Sequence, residues 1–381
     1  MLPRERLNTA VAHQEADRVP LGLGGITASS ITIEPYQHLL QYLERDVDSI
    51  STRYPVQRLA RIDEDLLKSW GVDVRDVTPH SEYTEVINGE YVDLIPAEWG
   101  MTFRRKNNPG TMFYQTSRPL GSLKDPKQLD SFDWPDPENP VLFEGLRSEA
   151  KTHWENGYAV VANHWICGIM ELSAYMRGYD QFMRDLVLNP AMATAIMDKV
   201  LELKIRFWDK ALTELLPYVS VVKNNDDMGS QDGLLISPKM YREYVKPRHV
   251  KLFNFLKKRT KGEVKILLHS CGAIEKLIPD FIEEGADILN PVQITSAGME
   301  PRHLKQMYGQ DITFWGGGVN TQETLPLGTP AQVKDEVKRL VDIFAPGGGF
   351  IFAPTQSIDP GTPPENIVAM LEAFDEVRTY G

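Results

Sequence analysis

Eight short apolar runs, separated by segments with helical periodicity, constrain the fold of this 381-residue chain more than any other feature. The later runs are apolar on both faces, as expected of strands buried on both sides of a parallel sheet. The predicted strands lie near Asp17–Leu23, Trp70–Val77, Tyr158–Asn163, Tyr218–Asn224, Val264–His269, Ala286–Val292, Asp311–Gly317 and Gly348–Ala353. This α/β pattern predicts a TIM (β/α)8 barrel, with an open doubly wound sheet as the alternative.

Two of the segments between these runs carry clear helix signals. Residues 190–215 repeat apolar side chains at helical spacing, and residues 330–344 do the same. Thr329 is a suitable N-cap for the second segment, and Pro330 suits its first helical position. Both segments are therefore predicted to be helices that pack against the sheet.

One stretch, Tyr83–Gly121, breaks the alternation of strand and helix. It contains Asn88-Gly89, a dipeptide that favours a type I′ hairpin turn, followed by WGMTFRR. We predict a single domain over residues 1–381 with a β-rich insertion after the second strand. The insertion is expected to form a lid over one end of the barrel.

Composition excludes several classes of protein. The chain is 42% hydrophobic, and its 41 basic and 53 acidic residues give a formal net charge of −12. That charge argues against nucleic acid as a partner, because phosphate binding needs a basic surface. The chain shows neither an apolar run of about 18 residues nor an N-terminal signal core, so we expect a cytoplasmic protein without a membrane span. Two cysteines do not make a disulfide framework.

Polar residues collect where the predicted strands end. The third to eighth runs end in ANHWICG, KNNDDMGSQDG, HSCG, NPVQ, WGGGVNTQ and FAPTQSIDPGTPPEN. In a barrel, catalytic groups lie at the carboxyl ends of the strands. This concentration favours an enzyme or a ligand-binding barrel over a purely structural protein. The dinucleotide, P-loop and common hydrolase motifs do not occur.

His269 and Cys271 are the first candidates for a functional site. Imidazole and thiolate are good zinc ligands, and alternate residues leaving a strand can both point into one site. A buried cysteine beside a histidine that is bonded to backbone is the alternative. The spacing leaves both interpretations open.

Asp226 and Asp227 follow the fourth predicted strand. They can act as a metal ligand, a general acid or base, or a substrate-orienting pair. A helix cap or a solvated loop is the alternative. Cys167, three residues after His164, can reach the same site, although free cysteines are more often packed and inert.

Seven segments occur in an order that resembles a known superfamily. They are ADRVP, WPDP, DDMGSQ, ISPKMYREYVKPRH, LLHSCGAIEKLIPDFIEEGADILNPVQ, FWGGGVNTQETLPLGTPAQVKDEV and TPPENIVAM. Together they resemble the uroporphyrinogen decarboxylase superfamily over nearly the whole chain, most strongly from about Asp226 onward. That superfamily contains the decarboxylase and the zinc-dependent, corrinoid-linked methyltransferases. The resemblance implies a single TIM barrel with its site at the carboxyl ends of the strands.

The chain departs from the decarboxylase branch at two places. Resemblance to the decarboxylase branch implies an N-terminal Arg-Gln-Ala-Gly-Arg motif that holds the acidic side chains of a tetrapyrrole. Residues 21–30 of this chain contain no arginine. The branch also implies a histidine at the place of Gln356. A tetrapyrrole with many carboxylates needs cationic donors, and Arg104 and Arg105 of the insertion are the remaining candidates.

The methyltransferase branch fits better. It implies a His-x-Cys pair after the fifth strand, which His269 and Cys271 match, and a cysteine in the last loop, where this chain has Gln356. Because glutamine binds zinc poorly, a carboxylate is expected to replace that cysteine, and Asp226 or Asp227 is placed to do so. Cys167 is the weaker replacement.

The resulting hypothesis is a zinc-dependent methyltransferase that moves a methyl group between a small methyl ether, methylamine or thiol and a corrinoid carried on a partner protein. The predicted site comprises His269, Cys271 and Asp227 as zinc ligands, Asp226 and Asp227 in catalysis, Gln293, Trp315, Gln356 and His164 as substrate contacts, and Trp165 and Tyr114 as further pocket residues. Metal-free decarboxylation of a tetrapyrrole or another carboxylic acid is the first alternative. Non-catalytic binding of a small molecule is the second, and the sequence leaves a homodimer open.

Overall fold

The centre of the structure is a curved parallel sheet that winds into a barrel. The computed structural model describes residues 1–108, 110–165 and 167–380. Its strands are, in chain order, β1 (Thr52–Tyr54), β2 (Leu59–Ala60), β3 (Val74–Val77), β4 (Tyr83–Asn88), β5 (Tyr91–Pro96), β6 (Phe103–Lys106), β7 (Tyr114–Gln115), β8 (Ala159–Ala162), β9 (Val221–Asn225), β10 (Lys265–His269), β11 (Ile288–Asn290), β12 (Thr313–Trp315) and β13 (Phe350–Ile351). Strands β3, β8, β9, β10, β11, β12 and β13 lie side by side in this order, each parallel to the next. They match seven of the predicted runs.

The remaining predicted run, Asp17–Leu23, closes the barrel. Leu21 bridges in parallel to Phe352, and the N–H of Gly22 donates to the Phe352 carbonyl at 2.8 Å. On the other side, the Leu21 carbonyl accepts from the N–H of Asp73, next to β3, at 3.0 Å. The predicted strand Asp17–Leu23 is therefore only a short bridge. Because the bridge joins both edges of the sheet, the TIM-barrel prediction is confirmed over the open doubly wound sheet.

Helices alternate with the strands of the barrel. The α-helices are α1 (Pro3–Val11), α2 (Ile33–Tyr42), α3 (Glu64–Ser69), α4 (Leu146–Glu155), α5 (Ile169–Arg177), α6 (Tyr179–Leu188), α7 (Pro190–Leu215), α8 (Pro238–Met240), α9 (Lys246–Arg259), α10 (Ile278–Glu284), α11 (Pro301–Tyr308), α12 (Thr324–Leu327), α13 (Pro330–Phe344) and α14 (Pro364–Val377). A π-helical segment, Tyr241–Val245, joins α8 to α9. Among the described residues, we find no helix with the length and apolar character that crossing a membrane requires.

Helices α7 and α13 have the predicted bounds. The side chain of Thr329 accepts from the N–H of Gln332, and the Gln332 side chain reaches back to the N–H of Thr329 at 2.8 Å. This reciprocal cap satisfies two backbone donors at the start of α13. The Asn189 side chain accepts from the N–H of Met192 at the start of α7.

The predicted β-rich insertion after the second barrel strand is also confirmed. Strands β4 to β7 form an antiparallel sheet in sequence order. The turn between β4 and β5 differs from the prediction, because Asn88 ends β4 and the central turn residues are Gly89 and Glu90. Only Gly89 of these two has a positive φ, at 60°. A glycine at the first central position fits a type II′ turn, whereas a type I′ turn needs a positive φ at both positions.

Candidate metal centre

The three predicted zinc ligands meet at the carboxyl ends of two neighbouring strands. Asp227 follows β9, His269 ends β10, and Cys271 lies two residues beyond His269. Their ligand atoms all lie within 4.8 Å of one another. Nε2 of His269 is 3.3 Å from Sγ of Cys271 and 3.6 Å from Oδ1 of Asp227. We refer to these three residues as the ligand cluster.

A chain of hydrogen bonds orients His269. Its Nδ1 lies 2.6 Å from Oδ1 of Asn290, the last residue of β11. The Asn290 amide in turn donates from Nδ2 to the carbonyl of Trp315 at 2.9 Å. Because Asn290 presents its oxygen to Nδ1, that nitrogen carries the hydrogen and Nε2 keeps its lone pair for the cluster. Metal-binding histidines are usually fixed by such a partner on the other nitrogen.

The loop that carries Cys271 is fixed by its neighbours. The N–H of Cys271 donates to Oδ1 of Asp227 at 3.0 Å, and the side-chain oxygen of Gln293 accepts from the N–H of Gly272. Gly272 has φ of 86°, and a Cβ there would lie 2.5 Å from the backbone of Gly229, so only glycine fits. The fixed backbone sets where the Cys271 thiol lies.

Burial shifts the pKa of two members of the cluster in opposite directions. Burial lowers the pKa of His269, which keeps the imidazole neutral. Burial, together with the nearby Asp227 charge, raises the pKa of the Cys271 thiol. A bound metal cation would offset the cost of forming a buried thiolate, because metal binding displaces the thiol proton.

Asp226 and Asp227 are neighbours in sequence but lie in opposite environments. Asp226 is fully buried, and its two oxygens accept from the backbone N–H groups of Met170 and Glu171, each at 2.8 Å. Nε2 of His249 lies 3.0 Å from its Oδ2. The prediction that Asp226 acts in catalysis is therefore corrected, because its acceptor sites are occupied by α5 and α9. It is a positioning residue that anchors the start of α5.

A buried ionic network continues from Asp226 and was not predicted. Nδ1 of His249 lies 3.1 Å from Oε2 of Glu284, and the hydroxyl of Tyr241 donates to Oε1 of Glu284. Burial by itself would lower the pKa of His249, but Glu284 and Asp226 outweigh it and raise that pKa to about 9. The imidazolium thus links α9 and α10 to the end of β9. The local sequence around His249 does not distinguish it from other polar residues of a helix.

A cavity of about 420 Å³ opens in front of the ligand cluster. Barrel residues on its wall include Tyr54, Asn163, His164, Trp165, Cys167, Glu171, Tyr175, Lys223, Asp227, His269 and Gln356. The insertion contributes Tyr83, Pro96, Trp99, Met101 and Phe103, as a lid would. His164, Gln356 and Trp165 therefore lie where a substrate contact was predicted. Cys271 lies against this wall, with its sulfur 3.0 Å from Nε2 of Gln356.

Three other predicted pocket residues lie elsewhere. Trp315 is fully buried inside the barrel, packed so closely on Gly22 that a Cβ there would lie 2.5 Å from its Nε1. Gln293 holds the Cys271 loop and does not line the cavity. Tyr114, on β7, has 53% of its surface exposed to solvent. These predictions failed because polar or aromatic character does not reveal which face of a strand end a side chain occupies.

Two ionisable residues of the cavity were missed. Lys223 lies on β9 and donates from Nζ to Oγ1 of Thr27 at 2.7 Å. Burial lowers the pKa of Lys223 to about 8. Burial, with the charges of Asp227 and Asp226, raises the pKa of Glu171 to about 8. A lysine inside the apolar run VSVVKNN is unusual, and this could have identified Lys223 from the sequence. The position of Glu171 depends on where α5 packs, and no local sequence pattern indicates it.

The insertion contacts the barrel through one aromatic pair and one hydrogen bond. The rings of Trp99 and Trp165 are 5.1 Å apart, and Nε1 of Trp165 donates to Oε2 of Glu98 at 3.3 Å.

Arg104 forms an ion pair with Asp93 at 2.6 Å within the insertion. Neither Arg104 nor Arg105 lines the cavity.

The sequence profile of the family described as uroporphyrinogen decarboxylase (URO-D) matches residues 91–377. The chain belongs to the uroporphyrinogen decarboxylase family. The match extends from β5 to the end of α14 and so includes the whole ligand cluster. A search of curated proteins found no match.

Among solved structures, a methyltransferase from Methanosarcina mazei has the same fold as this chain. It aligns with a TM-score of 0.65 and 19% sequence identity over 99% of each chain. Xylanase 10B from Thermotoga maritima aligns with a TM-score of 0.36 and 12% sequence identity, over 68% of this chain and 93% of its own. Family membership indicates an enzyme.

Proposed function

We propose that this chain is a zinc-dependent methyltransferase that takes a methyl group from a small methylated molecule and passes it to a corrinoid on a partner protein. The observation that supports this most directly is the ligand cluster, with one carboxylate, one imidazole and one thiol within 4.8 Å. The cluster lies at the carboxyl ends of barrel strands, where TIM-barrel enzymes have their active sites.

The donor set suits zinc. For bond lengths of about 2.0–2.3 Å and tetrahedral angles, two ligand atoms on one zinc ion are about 3.3–3.6 Å apart. The distances from Nε2 of His269, 3.3 Å to Cys271 and 3.6 Å to Asp227, fall in this range. Three protein ligands leave one position of a tetrahedral site for a substrate, as in catalytic zinc sites.

Zinc at this cluster would polarise the heteroatom that carries the methyl group and so favour its departure. The chain supplies the remaining functions. Asn290 holds His269 in the tautomer that leaves Nε2 as acceptor, and Gln356 donates to the sulfur of Cys271. Trp99 and Phe103 of the insertion line the cavity, and their apolar rings would help to exclude water from the reacting group.

The size and lining of the cavity support a small substrate. Its volume of about 420 Å³ lies at the lower end of the range for small-molecule sites. Tyr54, Trp99, Trp165 and Tyr175 contribute aromatic surface beside the ligand cluster. A methyl ether fits these properties, because its apolar part packs on aromatic rings while its oxygen reaches the metal.

Decarboxylation of a tetrapyrrole is less well supported. Such a substrate carries many carboxylates, and these need several cationic donors. Among the described residues that line the cavity there is no arginine, and Lys223 alone supplies an amino group. The carboxyl group of Asp227 on the same wall would oppose a polyanion.

Metal analysis combined with ligand variants tests the proposal. Purified protein should hold about one zinc ion per chain, and His269→Ala, Cys271→Ser and Asp227→Ala should each lose it. His303→Ala is the matched control, because His303 is a surface histidine of α11 that pairs with Glu275. Wild-type protein that neither holds zinc nor gains activity when zinc is added would refute the proposal. Zinc-dependent methylation of free cob(I)alamin would distinguish it from a non-catalytic binding barrel.

A further inference from the structure

The cavity contains a second carboxyl group, Glu171, that the ligand cluster does not use. Glu171 lies in the first turn of α5, and its Oε2 accepts from Nδ2 of Asn225 at 2.6 Å and from the N–H of Gly168 at 3.2 Å. Asn225 ends β9, two residues before Asp227. The carboxyl group is therefore held beside the ligand cluster on the same cavity wall.

Two close contacts fix the position of Glu171. Its backbone N–H donates to Oδ1 of Asp226 at 2.8 Å, which anchors the first turn of α5 to the end of β9. A Cβ at Gly168 would lie 2.3 Å from the same oxygen, so this approach requires glycine. Such anchoring is typical of side chains that must meet a substrate in one geometry.

The surroundings of Glu171 favour its protonated form. Burial, followed by the charges of Asp227 and Asp226, raises its pKa to about 8, while Lys204 acts in the opposite direction. The phenol of Tyr175 is hydrogen-bonded to Glu171. Lys223 and Cys167 line the same cavity and interact electrostatically with Glu171. Burial is the first of these causes and does not depend on Asp227, so the carboxyl group keeps its proton more readily than an exposed glutamate does.

We infer that Glu171 is the general acid that protonates the heteroatom of the substrate as the methyl group leaves. This inference rests on the proposed methyl transfer. It is carried by the placement of the carboxyl group on the cavity wall beside the ligand cluster and by its fixed contacts to Asn225 and Gly168.

The chemistry balances without a further reagent. The bond between the methyl carbon and the oxygen of an ether breaks, and its electron pair stays on the oxygen. The methyl carbon forms its new bond with the electron pair of the corrinoid cobalt(I), which is the acceptor in the proposed function. The oxygen takes the proton of Glu171, and solvent returns a proton to the carboxylate when the product leaves.

A comparison of two substrates tests the inference. The probes are methyl phenyl ether and methyl 4-nitrophenyl ether, with free cob(I)alamin as the acceptor and absorbance as the readout. Glu171→Gln should slow the phenyl ether by about 10²-fold or more, since general acid catalysis contributes that much. It should hardly change the nitrophenyl ether, because nitrophenolate leaves without a proton. Glu171→Asp should restore part of the lost rate.

An infrared measurement gives a readout that does not depend on turnover. The carbonyl band of a protonated carboxyl group should be present in the wild type at pH 7 and missing in Glu171→Gln. Glu372→Gln is the control, since Glu372 is an exposed residue of α14. Zinc content should be unchanged in Glu171→Gln, Glu171→Asp and Glu372→Gln.

Two results would overturn the inference while leaving the proposed function intact. One is an equal slowing of both ethers by Glu171→Gln in a protein that keeps its zinc, and the other is the absence of the infrared band. If zinc-loaded wild type methylates cob(I)alamin from neither ether, the proposed function fails for this class of substrate. The inference then fails with it.

Discussion

The side-chain amide of Gln356 donates a hydrogen bond to the sulfur of Cys271 over 3.0 Å. This donor stabilises negative charge on the sulfur and stands where the family resemblance implies a cysteine. Gln356→Leu should weaken zinc binding by about 10-fold, a typical effect of removing a hydrogen bond to a metal ligand. Gln356→Cys should tighten binding, because it adds a soft ligand. Competition with a chromophoric chelator measures both, and tighter binding by the leucine variant would contradict the first prediction.

Asp226 and Asp227 should have opposite mutational effects. Asp226→Ala leaves the buried His249 without one of its carboxylates and unpairs two backbone N–H groups, so it should lower the free energy of unfolding by about 3–5 kcal/mol. Asp227→Ala should change the stability of the metal-free protein much less, but should abolish zinc retention. Urea denaturation of metal-free protein and zinc analysis separate the two effects. Equal losses of stability would contradict the different roles.

Asn290 links the ligand cluster to the barrel interior. Asn290→Ala leaves Nδ1 of His269 and the carbonyl of Trp315 without their partner. The free energy of unfolding should fall by about 1–3 kcal/mol, and zinc affinity should fall by about 10- to 100-fold. Asn366→Ala is the control for loss of stability alone, because the buried side chain of Asn366 donates to the carbonyls of Leu325 and Gly328. Unchanged zinc affinity in Asn290→Ala would show that His269 needs no orienting partner.

The His249 network should make stability depend on pH. The folded-state pKa of about 9 lies above the unfolded value near 6.5, so the stabilisation is complete below about pH 6.5 and is lost as pH rises through about 9. The difference in unfolding free energy between wild type and His249→Gln should shrink over this window by an amount on the order of 3 kcal/mol. Taking the difference cancels other groups that titrate in the same range. A difference that stays constant with pH would contradict an imidazolium at this position.

Trp165 should hold the lid closed. Trp165→Phe keeps most of the ring contact with Trp99 but removes the hydrogen bond to Glu98. We expect faster amide hydrogen exchange in residues 96–103 and unchanged exchange in β9 and β10. Trp134→Phe, which removes a similar bond to the carbonyl of Leu129 away from the cavity, is the control. The same exchange pattern in both variants would count against a local role.

The barrel could be predicted from sequence because each strand and helix depends mainly on its own residues. Helix α13 carries its start signal, Thr329 and Gln332, within four residues, and its bounds were predicted correctly. The turn at Gly89 was assigned to the wrong type because the strand boundary moved by one residue. The bridge at Leu21 was overestimated in length, since its pairing is set by Phe352 at the other end of the chain.

The candidate site was predictable only where spacing within one segment fixes geometry. His269 and Cys271 leave the same strand, so two residues of separation brought their ligand atoms together. The direction of Asp226 depends on Met170 and His249, which are 56 and 23 residues away, and no local pattern encodes those contacts. The position of Glu171 depends on the same long-range packing.

The opposite orientation of Asp226 and Asp227 has a consequence for the length of this segment. Side chains alternate sides along an extended chain, so the end of β9 presents Asn225 and Asp227 to the cavity and Asp226 to the helices behind it. Removing or adding one residue between Lys223 and Asp227 would exchange these faces, placing a needed counter-charge in the cavity and a ligand in the protein interior. A substitution at Asp226 or at Asp227 affects one of these two functions, whereas a change of register would disable the anchor of α5 and the ligand cluster together.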